Sequence, residues 1–196
     1  LEKFLSKTKF DSYEDFMQNF KVNAPENFNF GYDVVTMGST NPDKPALLWT
    51  NEQGEKIQFT FADIKRESDK AASFFTSLGI GRGDMVMLIL KRRYQFWFSI
   101  IALHKIGATT IPATHLLTAK DIVYRCQSAD IKHRCRSDDI VLKHIDDALP
   151  KCPSLKYRIS TGPHVPDGWL DFNKGCAEAA PFVRPAEANS NDDISL

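Results

Sequence analysis

Residues 78–122, LGIGRGDMVMLILKRRYQFWFSIIALHKIGATTIPATHLLTAKDI, constrain the fold of this chain more than any other stretch. Met85 to Leu90 is an apolar run of strand length that follows a glycine-rich turn. Phe96 to Ile106 is apolar nearly all round and of helical length. Gly107 stops that helix, and Thr109 to Pro112 is a second short strand leading into Ala113-Thr114-His115. Strands this apolar, joined by a helix, make a β-α-β unit whose parallel strands are buried on both faces.

The flanking sequence extends the pattern. Ser12-x-x-Asp15 has the form of a capping box and predicts a short helix burying Phe16 and Phe20. FNFGYDVVTMG, after Pro25, reads as aromatic and then helical. Ala46 to Thr50 and Lys56 to Thr60, joined by Asn51-Glu52-Gln53-Gly54, predict a β-hairpin. Thr60 with Asp63 opens a helix whose inner face is Phe61, Ile64, Ala71, Phe75 and Leu78. Thr118-x-x-Asp121 opens another, with Ile122, Cys126 and Ala129 inward, and Ser137-Asp138-Asp139 a third, with Val141, Ile145 and Ala148 inward. Leu155 to Ser160 is expected as a strand, Gly162 to Gly168 as a loop, Asp171 to Ala180 as a helix, and Pro181 to Asp193 as a polar tail. Alternating helices and strands predict an α/β fold with a mostly parallel sheet flanked by helices, a β-hairpin and an extended N-terminal arm. The expected divisions are 1–44 (arm and helices), 45–185 (α/β subdomain) and 186–196.

Composition excludes several functions. With 25 basic and 25 acidic residues the formal charge is zero, so nothing global draws the chain to nucleic acid or an anionic membrane. No apolar run approaches the ~20 residues needed to cross a bilayer. The polar opening has no secretory pattern. Cys126, Cys135, Cys152 and Cys176 are too scattered for a zinc site or a disulfide framework, so reduced thiols and a cytoplasmic location are expected.

The short motifs divide between chemistry and packing. Gly79-x-Gly81-x-Gly83 follows a helix and precedes a strand, the reverse of a phosphate cradle, and reads as a helix C-cap and tight turn. Lys91-Arg92-Arg93 ends a core strand at the edge where α/β sheets bind ligands. A solvated basic cluster is the reading favoured there, with anion binding its competitor. The Phe96 to Ile106 helix reads as core, which requires something to cover its second face. No nucleophile elbow, Walker-type loop or H-E-x-x-H is present, so no catalytic residue and no metal ligand is assigned.

Six pieces, FNFGYDVVTMG, NPDKPALLW, LGIGRGDMVMLIL, HKIGATTIPATHLLTAKDIVYR, IDDALPKCPSLKY and GWLDFN, resemble in order the N-terminal part of the AMP-forming acyl-coenzyme A synthetases, closest to the medium-chain group. The resemblance implies the first subdomain of the N-terminal domain of an adenylate-forming enzyme. The parent activity would use ATP, magnesium and coenzyme A to turn a carboxylic acid into acyl-CoA, AMP and pyrophosphate. An aryl-acid ligase, a peptide-synthetase adenylation domain and a non-enzymatic partner-binding module are the rivals. The loop matching Thr114 and His115 lies in that family beside the acyl and coenzyme A channel. His115 departs from the commonest residues there, and capping the following turn is its alternative role.

Residues 191–196 resemble the lead-in to the family's Ser/Thr/Gly-rich phosphate loop. The resemblance therefore implies that the chain lacks the ATP-binding and catalytic motifs, is inactive alone and holds no cofactor. Its expected partners are the rest of a synthetase, or a second copy, meeting the Phe96 to Ile106 helix. One segment breaks the resemblance. His133-Arg134-Cys135-Arg136 stands where the family has an apolar strand, and burying such charges unpaired costs several kcal/mol each. Two readings compete: arginines that meet coenzyme A phosphates, or a local shift of reading frame, since with suitable codons the shifted frame of His-Arg-Cys reads Ile-Val-Ala.

Overall fold

In the computed structural model the described residues are 4–35, 41, 43–131, 133–136 and 139–185; the side chains of 133–136 and 139–142 lie outside the description. In chain order the elements are α1 (Tyr13–Asn19), a π-helical turn (Phe30–Val35), β1 (Pro45–Thr50), β2 (Lys56–Thr60), α2 (Phe61–Ser77), β3 (Met85–Ile89), α3 (Gln95–Lys105), β4 (Thr109–Pro112), α4 (Ala119–Ser128), β5 (His133–Arg136), α5 (Asp139–Ala148), a 3-10 turn (Leu149–Lys151), β6 (Tyr157–Ser160), β7 (Leu170–Asp171) and α6 (Phe172–Glu178). β1 and β2 form the expected antiparallel hairpin. The other five strands form one parallel sheet in the order β4-β3-β5-β6-β7.

Helices cover both faces of this sheet, which explains why β3 is apolar throughout rather than alternating. Val86 and Leu88 face Ala71, Phe75, Leu103 and Phe172 of α2, α3 and α6. Met87 and Ile89 face Ile122, Cys126 and Ile145 of α4 and α5. A smaller cluster of Val35, Ile64, Phe98 and Ile101 joins the π-helical turn and hairpin to the outer side of α3.

Local sequence rules account for most of the boundaries. Both Thr60 and Thr118 make full capping boxes, with Asp63 and Asp121 returning a hydrogen bond to the cap backbone. These contacts hold the Asp63 and Asp121 carboxyls below their ordinary values, mainly through bonds donated by Thr60 and Thr118. Thr60→Ala is expected to lower stability by about 1 kcal/mol, read as a reduced midpoint in urea with an unchanged slope. Gly107, at φ 72°, ends α3 in the left-handed region that glycine enters without strain.

The second face of α3 is covered by this chain itself. Asn29 Nδ2 donates to the His104 carbonyl at 2.7 Å, and Tyr32 Oη donates to the Lys105 carbonyl at 2.8 Å. A Cβ on Gly31 would lie 2.8 Å from Lys105 Cγ, so glycine is what lets the turn approach α3. Trp97, 48% exposed, is the part of the helix left open.

Three expectations are corrected. Phe16 and Phe20 are not buried: they are 38% and 41% exposed and stack on each other at 4.9 Å, with Phe10 against both. Helix α1 forms because Ser12 caps it, but none of its residues is buried. The expected helix from Asp171 to Ala180 is shorter, because Leu170 and Asp171 pair with β6 as an edge strand and Asp171 caps α6. Phe61 and Leu78 are half-buried rather than core, whereas Phe74 and Ser68 are buried instead.

Residues 36–38 of FNFGYDVVTMG, the Ser137-Asp138 cap, the Val141 side chain and the tail beyond residue 185 lie outside the described residues. For the irregular segment, the backbone is a strand pairing Cys135 with Leu88 on one side and Ile159 on the other.

Candidate functional site

Parallel strands put all their carboxyl ends on one edge, and three connections gather there: 90–94 after β3, 113–118 after β4, and 161–169 between β6 and β7. The 113–118 connection carries both residues singled out from the sequence. Ala113 N donates to the Leu88 carbonyl at 2.8 Å, extending the β4–β3 pairing by one residue. Thr114 Oγ1 accepts from Leu116 N at 3.3 Å, which closes a local turn. His144 Nδ1, on α5, contacts the Leu117 carbonyl at 2.9 Å, and the carbonyl makes that nitrogen the donor. Thr118 then caps α4. The loop is thus fixed at both ends, with Thr114 exposed and His115 half-buried.

Thr114 and His115 are brought together, but no acid or base joins them. His115 has no hydrogen bond or ion pair among the described residues. No three His, Cys, Asp or Glu residues converge as metal ligands among the described residues. Cys126, Cys152 and Cys176 are buried and form no disulfide among the described residues, and burial pushes the Cys176 thiol up to about 12, so it stays protonated and inert.

One important charged residue was not singled out from the sequence. Lys105, at the C-terminal end of α3, is buried, and its Nζ lies 2.7 Å from Asp69 Oδ1 and 2.8 Å from Ser68 Oγ. Desolvation pushes its pKa below the ordinary lysine value, while Asp69 opposes that shift. Because α3 runs back from the carboxyl edge, this clasp lies at the opposite end of the unit and is structural. A lysine beside a histidine at a helix terminus gives no signal of burial.

Comparison with known proteins fits this geometry. A family model described as "AMP-binding enzyme" matches residues 36–196. The chain belongs to the AMP-binding enzyme family. The chain is 34% identical over 179 residues to acyl-coenzyme A synthetase ACSM4, mitochondrial, of Mus musculus, covering 88% of this chain and 31% of that one. It is 34% identical over 194 residues to acyl-coenzyme A synthetase ACSM3, mitochondrial, of Pongo abelii, covering 95% and 33%. Among solved structures, a Brucella canis acyl-CoA synthetase superposes with TM-score 0.80 at 20% identity over 95% of this chain and 35% of that one. The anthranilate CoA ligase AuaEII with anthranoyl-AMP superposes with TM-score 0.74 at 20% identity, over 87% and 31%.

This chain of the AMP-binding family therefore spans about a third of the length of the curated relatives it matches. Its sequence is similar to the acyl-CoA synthetases named above, and its α/β fold with a parallel sheet is that of the N-terminal domain of adenylate-forming enzymes. No helix among the described residues is long and apolar enough to cross a membrane.

Proposed function

We propose that this chain supplies the first α/β subdomain of a protein that joins a carboxylic acid to coenzyme A through an acyl-adenylate, using ATP and magnesium. The observation that carries this reading is the combination of the family match over residues 36–196 with 34% identity to acyl-CoA synthetases. The aryl-acid reading rests on structures 20% identical, a likeness of fold alone. In this proposal residues 45–185 are the subdomain, 1–44 the arm, and 186–196 the lead-in to a phosphate-binding segment. Thr114 and His115 border the channel for the acyl group and coenzyme A. The relatives' names place those proteins in mitochondria, so the proposed compartment is mitochondrial rather than the cytoplasmic one expected from composition.

The residues present can orient and shield but not activate a carboxylate. ATP would supply the electrophilic phosphorus, and magnesium would polarise its phosphates. The fixed 113–118 loop offers a hydroxyl and an imidazole at the sheet edge for hydrogen bonds to the incoming thiol carrier. Trp97, with Phe30 and Leu48 also exposed, is proposed to meet the rest of the synthetase or a second copy.

Two assays test this. The isolated chain is expected to release no pyrophosphate from ATP and octanoate, whereas the protein encoded by the complete reading frame is expected to release it and form octanoyl-CoA. Failure of the complete protein with every carboxylic acid tried would refute the reading. In that protein His115→Ala is expected to raise KM for coenzyme A about two- to ten-fold, the worth of one hydrogen bond, with kcat changed less.

A further inference from the structure

The strand order β4-β3-β5 makes β3 a turning point of the sheet. The chain passes from β3 to one neighbour, β4, and then crosses back to pair β5 on the other side. Because α3 covers one face and α4 the other, the connections separate here. Open α/β sheets hold ligands at the carboxyl ends of strands beside such a reversal.

Lys91, Arg92 and Arg93 follow β3 at this place. They and the hairpin residues Trp49 and Thr50 to Gln53 line a depression of about 380 Å³, within the range of small-molecule sites. Trp49 Nε1 donates to the Arg92 carbonyl at 2.6 Å, and the Trp49 and Tyr94 rings meet edge to face at 5.3 Å. The hairpin is thus fastened against the loop, so the depression is held by two separate elements. Arg92 itself sits at φ 46°, a left-handed conformation uncommon outside glycine.

Charge in the depression is uneven. Three cations face one lining carboxylate, Glu52. Among the described residues the Arg92 and Arg93 side chains have no carboxylate partner. The loop runs directly into α3, eleven residues long, whose cap residue Tyr94 makes no side-chain cap and whose first turn has no acidic residue. The positive end of the helix therefore adds to the three cations instead of being neutralised within the chain.

We propose that this depression binds a phosphorylated small molecule, with Arg92 and Arg93 gripping phosphate oxygens and Trp49 walling the hairpin side. Guanidinium groups suit this because their planar forks can donate two parallel hydrogen bonds to a phosphate. The site is separate from Thr114 and His115, and it does not depend on the synthetase reading.

The test is a titration of the isotopically labelled chain with inorganic phosphate and with tripolyphosphate, followed by amide and indole chemical shifts. Saturable shifts at residues 49–53 and 91–96, including the Trp49 indole, are expected. Tripolyphosphate should bind more tightly and weaken as salt rises. Arg92→Gln and Arg93→Gln should each weaken it about ten-fold, a loss of one charge-assisted hydrogen bond. Arg66→Gln with Lys70→Gln, at exposed positions of α2, should leave it unchanged. Shifts that never saturate, that map elsewhere, or that persist undiminished in the Arg92→Gln, Arg93→Gln double variant would overturn the proposal.

Discussion

Asp69→Ala is expected to lower stability by about 3 kcal/mol, while Lys105→Met at the other end of the same ion pair costs little or nothing. The asymmetry follows from burial. The Lys105 side chain is 1% exposed and that of Asp69 is 24% exposed, so only the carboxylate can be rehydrated when its partner is lost. Removing one member of a buried pair leaves an uncompensated charge, whereas an apolar replacement of similar volume is often neutral. Asp69 also binds Lys65 at 2.7 Å, but the Lys65 side chain is 44% exposed, so the loss falls on Lys105.

The same clasp gives a pH signature. Burial holds the folded Lys105 pKa below its ordinary value, so the unfolded chain binds more protons as pH approaches the lysine range. Stability must then rise with pH in that window, and more steeply in Asp69→Ala, where the opposing carboxylate is gone. Urea unfolding of the two variants at neutral pH and near pH 10 checks both claims. Equal losses from Asp69→Ala and Lys105→Met would show that the pair is not buried as described.

Phe75→Ala is the second large effect. Phe75 is wholly buried under β3, its ring 5.9 Å from that of Phe74 and 6.0 Å from that of Phe172. Three helices and the sheet meet on it, and none can move inward without disturbing the others. The loss expected from the lost transfer energy and the cavity is about 3–5 kcal/mol, or roughly 10 °C in Tm for a domain of this size. Val183→Ala, on an exposed side chain after α6, should change Tm by almost nothing. Comparable shifts from the two would contradict the placement of the core.

Where a residue's role is set by its neighbours in sequence, the chain was legible. Thr60 and Thr118 announce helices through their own side chains, Gly107 stops α3 through its own backbone freedom, and the four β3 residues Val86 to Ile89 announce burial on both faces. Where the role is set by distant packing, it was not. Phe16 and Phe20 have helical spacing, yet among the described residues Phe10 packs against both and they stay more than a third exposed. Leu170 and Asp171 become a strand only because β6 offers them an edge. Lys105 looks like a solvated helix end until α2 brings Asp69 to it. The Thr114–His115 loop was located correctly at the carboxyl edge, since it follows a strand. Its tie to His144 depends on α5 packing beside it, which no local pattern reveals.

The segment at β5 belongs with the second kind. His133 to Arg136 has no apolar pattern, yet its backbone pairs in parallel with β3 on one side and β6 on the other. Reading the encoding DNA across this segment in independent clones distinguishes a local frame shift from a genuine charged strand.

The central proposal is that this chain is the N-terminal region of an AMP-forming acyl-CoA synthetase. The source transcript, sequenced beyond the Leu196 codon, tests it most directly. The account predicts an open frame that runs at once into a Ser/Thr/Gly-rich segment ending in Gly-x-Pro-Lys. A stop codon directly after Leu196 would contradict it and leave a free-standing α/β module.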